Sequence, residues 1–179
     1  MKNISIALGV VVVLVVVFFV CNSYTYHQKQ SEAGTQKGYK DTAYTIEGQT
    51  VQLVNGVAEA EAAPGSASKI TTRVFGNEAE GDLNGDGIPD IAFLLTQDSG
   101  GSGTFYYVTV GLKTNTGYQG INALLLGDRI APQSTEIHDG IVVVNYVDRK
   151  PGESMSAMPS VGVTKYFKVD AGTLVEIPR

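Results

Sequence analysis

The sequence has few of the residues that crosslink a fold or bind zinc. It contains one cysteine, Cys21, which excludes an intramolecular disulfide, so a domain outside the cytoplasm would lack that source of stability. The two histidines lie far apart, and the short cysteine and histidine spacings of zinc sites do not occur. Tryptophan is absent as well, and tyrosine is the commonest aromatic residue.

Basic residues are outnumbered by acidic ones. Lys and Arg total 13 against 18 for Asp and Glu, which gives a formal net charge of −5. A nucleic-acid-binding protein needs a basic patch to neutralise phosphates, and the sequence offers none. We therefore expect no nucleic-acid partner.

Helical patterns are also missing after residue 40, where no stretch keeps an apolar period of about 3.6 residues between caps. Short runs of β character separated by turn signals occur instead. The strand candidates are residues 44–46, 51–53, 57–58, 70–75, 91–96, 104–110, 117–126, 130–137, 141–147, 161–169 and 173–177. Abundant glycine and the pair Asn55-Gly56 suit tight turns between them. The sequence predicts a mainly β fold, an antiparallel sandwich or meander sheet, in one domain over residues 41–179.

The N-terminus carries the one long apolar run. Residues 4–21 are almost wholly apolar, and as a helix they would rise roughly 27 Å, close to the thickness of a hydrocarbon core. They predict an N-terminal signal anchor, a transmembrane helix over residues 1–22, followed by a flexible polar linker over residues 23–40. Lys2 favours an N-terminus on the inside, so the C-terminal domain is expected to be extracytoplasmic, periplasmic or at the cell surface.

Three other interpretations of this segment stay open. A cleaved signal peptide lacks the expected Ala-x-Ala type site. A lipoprotein would attach its lipid at Cys21, but Val20 before it is larger than such sites prefer. A pilin-type anchor would need a long helical extension, which Gly34 and Gly38 would interrupt.

Residues 82–90 contain the most informative pattern in the chain. Side-chain oxygens recur at alternate positions, and a calcium ion takes about 6–8 such oxygen ligands. Gly87 would let the chain turn with a positive φ. The predicted calcium ligands are the side chains of Asp82, Asn84, Asp86 and Asp90 and the carbonyl of Ile88, completed by water. The alternative is a turn that binds no metal, because Asp, Asn and Gly favour turns in any case.

The pattern Asp82-x-Asn84-x-Asp86-Gly87-x-x-Asp90 resembles the calcium loop of FG-GAP repeats, as found in the propellers of integrin α-subunits. Its first half is also similar to the loops of EF-hands and dockerins. Those loops carry an acidic residue where this chain has Phe93, and a helix follows them, whereas Pro89 and the apolar run after it favour a strand.

The resemblance covers nine residues and implies a bound calcium ion rather than a whole fold. A propeller needs several blades of about 40–50 residues each, and this chain is too short to close one. The loop would therefore be local chemistry carried by another architecture. The longer run that begins with this loop and continues through Tyr107 is similar to small membrane-anchored bacterial proteins of uncharacterised function. This resemblance implies no activity.

Two functions follow from these observations. The first is a membrane-anchored binding module of the cell envelope with structural calcium, whose partner is an envelope protein or a polysaccharide. Its exposed candidate surfaces are the loop of residues 148–159 and the turn of residues 99–103. The alternative is a calcium-supported envelope hydrolase. Its candidate residues are His138 beside Asp139, with Ser99 or Ser102 as nucleophile. Glu78, Glu80 and the loop aspartates are candidates for paired acids in glycoside cleavage.

Overall fold

The computed structural model describes residues 37–178. They form twelve strands and, at Tyr39–Asp41, one turn of 3₁₀ helix. The strands are β1 (Ala43–Ile46), β2 (Gln49–Gln52), β3 (Val57–Glu61), β4 (Lys69–Gly81), β5 (Asp90–Asp98), β6 (Phe105–Thr114), β7 (Gly117–Gly120), β8 (Asn122–Asp128), β9 (Ala131–His138), β10 (Ile141–Asp148), β11 (Val161–Asp170) and β12 (Thr173–Ile177). The prediction of a mainly β fold is confirmed.

Tight reversals explain how so many strands fit in so few residues. Four two-residue turns have positive φ at both positions, the combination whose twist matches that of paired strands. They are Glu47-Gly48, Asn55-Gly56, Asp139-Gly140 and Ala171-Gly172. The reversal at Asn55-Gly56 was predicted, and the last two turns lie in gaps between the strand candidates of residues 130–137 and 141–147 and of residues 161–169 and 173–177. The residues Glu47-Gly48 were not recognised as a turn.

The strands form two sheets. The larger has the order β2-β1-β8-β6-β5-β4-β3, with β7 added beside β6. The smaller is a meander with the order β12-β11-β10-β9. Every described pair of strands is antiparallel except β1 and β8, which pair in parallel through Thr45 and Ile46. The predicted antiparallel arrangement therefore holds with this one exception.

The two faces of the large sheet are buried by different elements. On one face, Leu94 and Val108 belong to the same apolar cluster as Val142 and Phe167 of the small sheet. On the other face, a second cluster contains Phe93. Its further members include residues of the β1–β2 hairpin and its flanks, Tyr44, Ile46 and Leu53. Because both faces are covered, β5 is buried without interruption from Asp90 to Leu95, which confirms the buried strand predicted over residues 91–96.

Strand β4 is longer than the sequence indicated. Its predicted end lay at Phe75, before Gly76-Asn77, which has the composition of a turn. The structure absorbs these two residues as an irregularity, with φ of 115° at Gly76 and 52° at Asn77, and pairing with β5 resumes at Ala79. This extension takes β4 to Gly81 and so places the loop of residues 82–89 directly between β4 and β5.

The predicted transmembrane helix of residues 1–22 and most of the predicted linker lie outside the described residues. Of the linker, residues 37–40 are described, and Lys37 forms a parallel bridge with Gly117. Within residues 37–178, no helix has the length and apolar character needed to cross a membrane.

Candidate metal centre

The loop that carries the predicted calcium ligands is closed at its base by the sheet. Gly81 at the end of β4 pairs with Asp90 at the start of β5. The intervening residues therefore form a short excursion whose two ends are fixed by the ladder. This local geometry brings Asp82, Asn84 and Asp86 into one tight loop, with Asp90 at its base.

Asp82 organises the first half of the loop. Its Oδ1 accepts the backbone N–H of Gly85 at 2.7 Å, and its Oδ2 accepts that of Gly87 at 2.9 Å. These N–H groups stabilise the carboxylate, and the bonds from Gly87 and then Gly85 lower the pKa of Asp82. Both glycines have φ near 80°, a left-handed conformation that other residues rarely adopt. The role predicted for Gly87 as a turn residue matches its backbone conformation.

Asn84 and Asp86 hold the second half of the loop. The N–H of Asp86 donates to Asn84 Oδ1 at 2.9 Å, and the N–H of Ile88 donates to Asp86 Oδ1 at 2.8 Å. The two side chains also contact each other, because Asn84 Nδ2 donates to Asp86 Oδ2 at 2.9 Å. Such bonds from a side chain to the backbone two residues ahead are typical of Asx turns. They stabilise the loop whether or not it binds a metal.

Asp90 differs from the other acidic residues because it is fully buried. Its Oδ2 accepts the N–H of Leu83 at 3.0 Å, and its Oδ1 accepts the N–H of Lys113 on β6 at 2.8 Å. Burial raises the pKa of Asp90; the two backbone bonds oppose this shift, and the negative charges of Asp86 and Asp82 add to it. The negative charges of two further carboxylates of the loop therefore act on the buried carboxylate of Asp90.

The ammonium group of Lys113 points elsewhere. Its Nζ lies 4.3 Å from the centroid of the Tyr118 ring, a cation–π contact. Among the described residues, no ion pair involves Asp90. The excess negative charge at the base of the loop is thus balanced by N–H dipoles alone within this part of the chain.

The donor chemistry of the loop fits calcium, but the side chains do not converge as a cluster of carboxylates. Within residues 37–178, no group of three or more His, Cys, Asp or Glu side chains is arranged to hold a metal. Each oxygen of Asp82 and Asp90 is turned toward a backbone N–H, and Asp86 contacts Asn84. The predicted set also relies on an amide and a carbonyl oxygen, and ion binding would replace the contact between Asn84 and Asp86.

Two residues that sequence reasoning missed fasten the loop to the fold. Leu83 is only 5% exposed and belongs to the core cluster shared by the two sheets. Gly81 lies against Ile137 of β9, so closely that an added Cβ would be 2.7 Å from Ile137 Cγ2. The apolar side chain of Leu83 within a run of Asp, Asn and Gly was the sequence feature that could have indicated this anchor. Nothing in the sequence indicated the contact of Gly81.

Among the described residues, no hydrogen bond connects His138 with Asp139, Ser99 or Ser102, the residues of the alternative hydrolase. His138 is an exposed residue at the end of β9, and its Nε2 lies 2.9 Å from Glu136 Oε2. Ser134 Oγ donates to Glu136 Oε1 at 2.9 Å, so the carboxylate rather than the imidazole stands in the middle. A Ser-His-Asp arrangement requires the histidine there, because it must take the proton of the serine. His138 and Asp139 do line an open cleft of about 370 Å³ on the outer face of the small sheet.

The two glutamates predicted as paired acids, Glu78 and Glu80, have different surroundings. Glu78 accepts a short hydrogen bond from the hydroxyl of Tyr39 and pairs with Lys40 Nζ at 3.3 Å. The bond from Tyr39 lowers the pKa of Glu78. Glu80 is exposed and lies next to the loop, opposite Ile91 in the ladder. The bonding of Glu78 is thus that of a surface network.

Comparison with protein-family models, with curated proteins and with solved structures finds no match to this chain. The resemblance of residues 82–90 to FG-GAP loops therefore rests on those residues alone.

Proposed function

We propose that the chain is a membrane-anchored, extracytoplasmic calcium-binding β-domain that serves as a binding module of the cell envelope. Calcium has a structural role, residues 1–22 form the anchor, and the partner is an envelope protein or a polysaccharide. The ligands are the side chains of Asp82, Asn84, Asp86 and Asp90 and the carbonyl of Ile88, in a loop of the FG-GAP type.

The observation that carries this proposal is the environment of Asp90. A fully buried carboxylate is costly unless it is paired, and here its described partners are two N–H groups while two more carboxylates lie nearby. A divalent cation between the loop side chains would balance that charge. Exposed lysine or arginine side chains would be screened by solvent and would stabilise the buried charge of Asp90 much less.

Calcium would stabilise the fold through the strand that follows the loop. Asp90 begins β5, the central buried strand, and its Oδ1 contacts β6. Fixing the loop therefore fixes the register of two central strands. Extracellular calcium modules bind at roughly 10⁻⁴–10⁻³ M, and a ligand at about 100 times its dissociation constant adds about 2.7 kcal/mol of stability.

The long loop between β10 and β11 supports a role in binding a partner. Arg149 holds it in place, with Nε donating to the carbonyl of Ala157 at 2.7 Å and Nη1 donating to that of Arg129 at 3.0 Å. Two methionines remain exposed on this fastened loop, Met155 at 41% and Met158 at 84%. Methionine is frequent at binding surfaces because its side chain adapts to different partners.

A thermal unfolding experiment tests the proposal. Calcium added to the full-length protein in detergent should raise its melting temperature, and Asp86→Ala should abolish the rise because it removes a ligand. Asp98→Ala is the matched control, since Asp98 is an exposed aspartate at the other end of β5 whose carboxylate accepts the N–H of Gly100 in its turn. If calcium does not change the melting temperature of the unmutated protein, that result would falsify the calcium role.

A further inference from the structure

A second cleft opens at the opposite end of β5 from the calcium loop. It has a volume of about 220 Å³, and its lining includes Glu47, Gln97, Ser99, Phe105, Tyr107 and Leu125. Strand β5 spans nine residues, so the two ends lie about 27 Å apart at roughly 3.4 Å per residue. The cleft is therefore a separate feature, and an inference about it does not depend on the proposed calcium site.

The cleft exists because the β1–β2 hairpin covers only part of the large sheet. The hairpin buries Phe93 and Leu95, and its turn at Glu47-Gly48 ends above Tyr107. Beyond the turn the same face of the sheet is open, which leaves Phe105 38% exposed and Leu125 46% exposed. The floor of the cleft is thus an aromatic and aliphatic surface.

The polar groups of the cleft are mainly hydrogen-bond acceptors. Tyr107 donates its hydroxyl proton to Glu47 Oε1 at 2.9 Å, which leaves lone pairs on the phenol oxygen and a second carboxylate oxygen. Gln97 uses its Nε2 to donate to Thr72 Oγ1 at 3.1 Å, which leaves its Oε1 to accept. Among residues 37–178, no lysine or arginine lines the cleft.

Glu47 occupies an unusual place for a glutamate. It has a φ of 49° in a two-residue turn where Asn, Asp or Gly is the favoured residue. The bond from Tyr107 fixes its carboxylate over the cleft. Burial and this bond raise the pKa of Tyr107, so the phenol stays protonated and continues to donate near neutral pH.

We propose that this cleft binds the primary ammonium group of a small organic cation. An ammonium group has three donors and no acceptor, which complements the carboxylate of Glu47, the amide oxygen of Gln97 and the phenol oxygen of Tyr107. The apolar ring of Phe105, which lines the cleft, can pack against the carbon chain of the ligand. The volume is below the roughly 300 Å³ at which drug-sized pockets begin, so the cleft takes one short amine or one residue of a longer molecule.

Binding measurements on the full-length protein test this proposal. Cyclohexylammonium represents a free amine, and cyclohexanol is its neutral counterpart of similar shape. We expect the amine to bind at least about tenfold more tightly than the alcohol, because only the amine is charged. Glu47→Gln should reduce amine binding at least about tenfold, whereas Glu176→Gln, an exposed glutamate on the small sheet, should leave it unchanged.

A second substitution separates binding from folding. Glu47→Asn places a favoured residue in the turn while removing the carboxylate, so the hairpin should be retained and amine binding should be lost. Asp86→Ala in the calcium loop should leave amine binding intact. Either amine binding that survives Glu47→Asn or cyclohexanol bound as tightly as the amine overturns the proposal.

Two further probes identify the source of the ammonium group. Nα-acetyl-lysine amide represents a lysine of a polypeptide, and glucosamine represents an amino sugar, with glucose as its neutral control. Whichever ammonium probe binds most tightly, with the same dependence on Glu47, names the source. Glucose bound as tightly as glucosamine, or no binding of any ammonium probe up to about 10 mM, contradicts the proposal.

Discussion

Asp90 and Lys113 are joined by a hydrogen bond of 2.8 Å, in which the backbone N–H of Lys113 donates to the buried Oδ1 of Asp90. This bond ties the base of the candidate calcium loop to β6, while the bond from Leu83 to Oδ2 ties it to the loop itself. The carboxylate of Asp90 thus connects β5, β6 and the loop, and the same carboxylate is a proposed calcium ligand.

Asp90→Asn should separate these two roles. Without calcium, two effects oppose each other, because the amide removes a buried charge but leaves one backbone N–H without an acceptor, which costs about 1–3 kcal/mol. We therefore expect a modest change of the free energy of unfolding in chelator, and loss of most of the calcium-dependent gain. Denaturant unfolding with and without calcium measures both. Asp98→Asn is the control, and a full calcium response in Asp90→Asn would contradict the role of Asp90 as a ligand.

Leu83→Ala should destabilise the protein through the core rather than through the loop oxygens. Leu83 is 5% exposed in the cluster shared by both sheets, and such truncations cost about 2–5 kcal/mol. Ile88→Ala is the matched control, since Ile88 is 39% exposed in the same loop and its truncation should cost far less. Urea unfolding compares the two variants. Equal losses would show that Leu83 is not the apolar anchor of the loop.

Gly81→Ala should strain the contact between the base of the loop and the small sheet. The new Cβ would lie 2.7 Å from Ile137 Cγ2, and overpacking of this kind costs about 1–3 kcal/mol. Ile137→Ala should reverse part of the loss when the two changes are combined. Gly162→Ala is the control, because no heavy atom lies within 4 Å of its added Cβ. A double mutant that loses as much as the sum of both single mutants would argue against this contact.

Tyr39→Phe should raise the pKa of Glu78 toward its ordinary value. The hydroxyl of Tyr39 stabilises the charged form of Glu78, so the folded-state pKa lies below 4.5. A depressed carboxyl pKa adds stability above the unfolded pKa, and this contribution is lost as the pH falls through the folded value. Carboxyl NMR titration measures the shift directly. An unchanged pKa would mean that Tyr39 does not bond Glu78 in solution.

Local patterns predicted the parts of the fold that depend on neighbours in sequence. The apolar run of residues 91–96 indicated a buried strand because burial on both faces removes the usual alternation, and β5 has that burial. Asn55-Gly56 predicted its reversal because both residues tolerate positive φ. Glu47-Gly48 was missed because glutamate is uncommon at such a position.

Long-range features were beyond the reach of local patterns. The parallel pairing of β1 with β8 joins Ile46 to Ala123, and nothing near either residue indicates the other. For the candidate site, alternate oxygen-bearing side chains indicated a single loop. Its anchoring by Leu83 and by the N–H of Lys113 depends on how the two sheets pack, which the sequence does not reveal.

The crystal structure of the protein grown in millimolar calcium tests the central proposal most directly. The proposal predicts one strong density peak within about 2.3–2.6 Å of oxygens from its five ligands, with the contact between Asn84 and Asp86 broken. These ligands are the side chains of Asp82, Asn84, Asp86 and Asp90 and the carbonyl of Ile88. An unchanged loop without such a peak, in which Asn84 Nδ2 still donates to Asp86 Oδ2 at 2.9 Å, would contradict it.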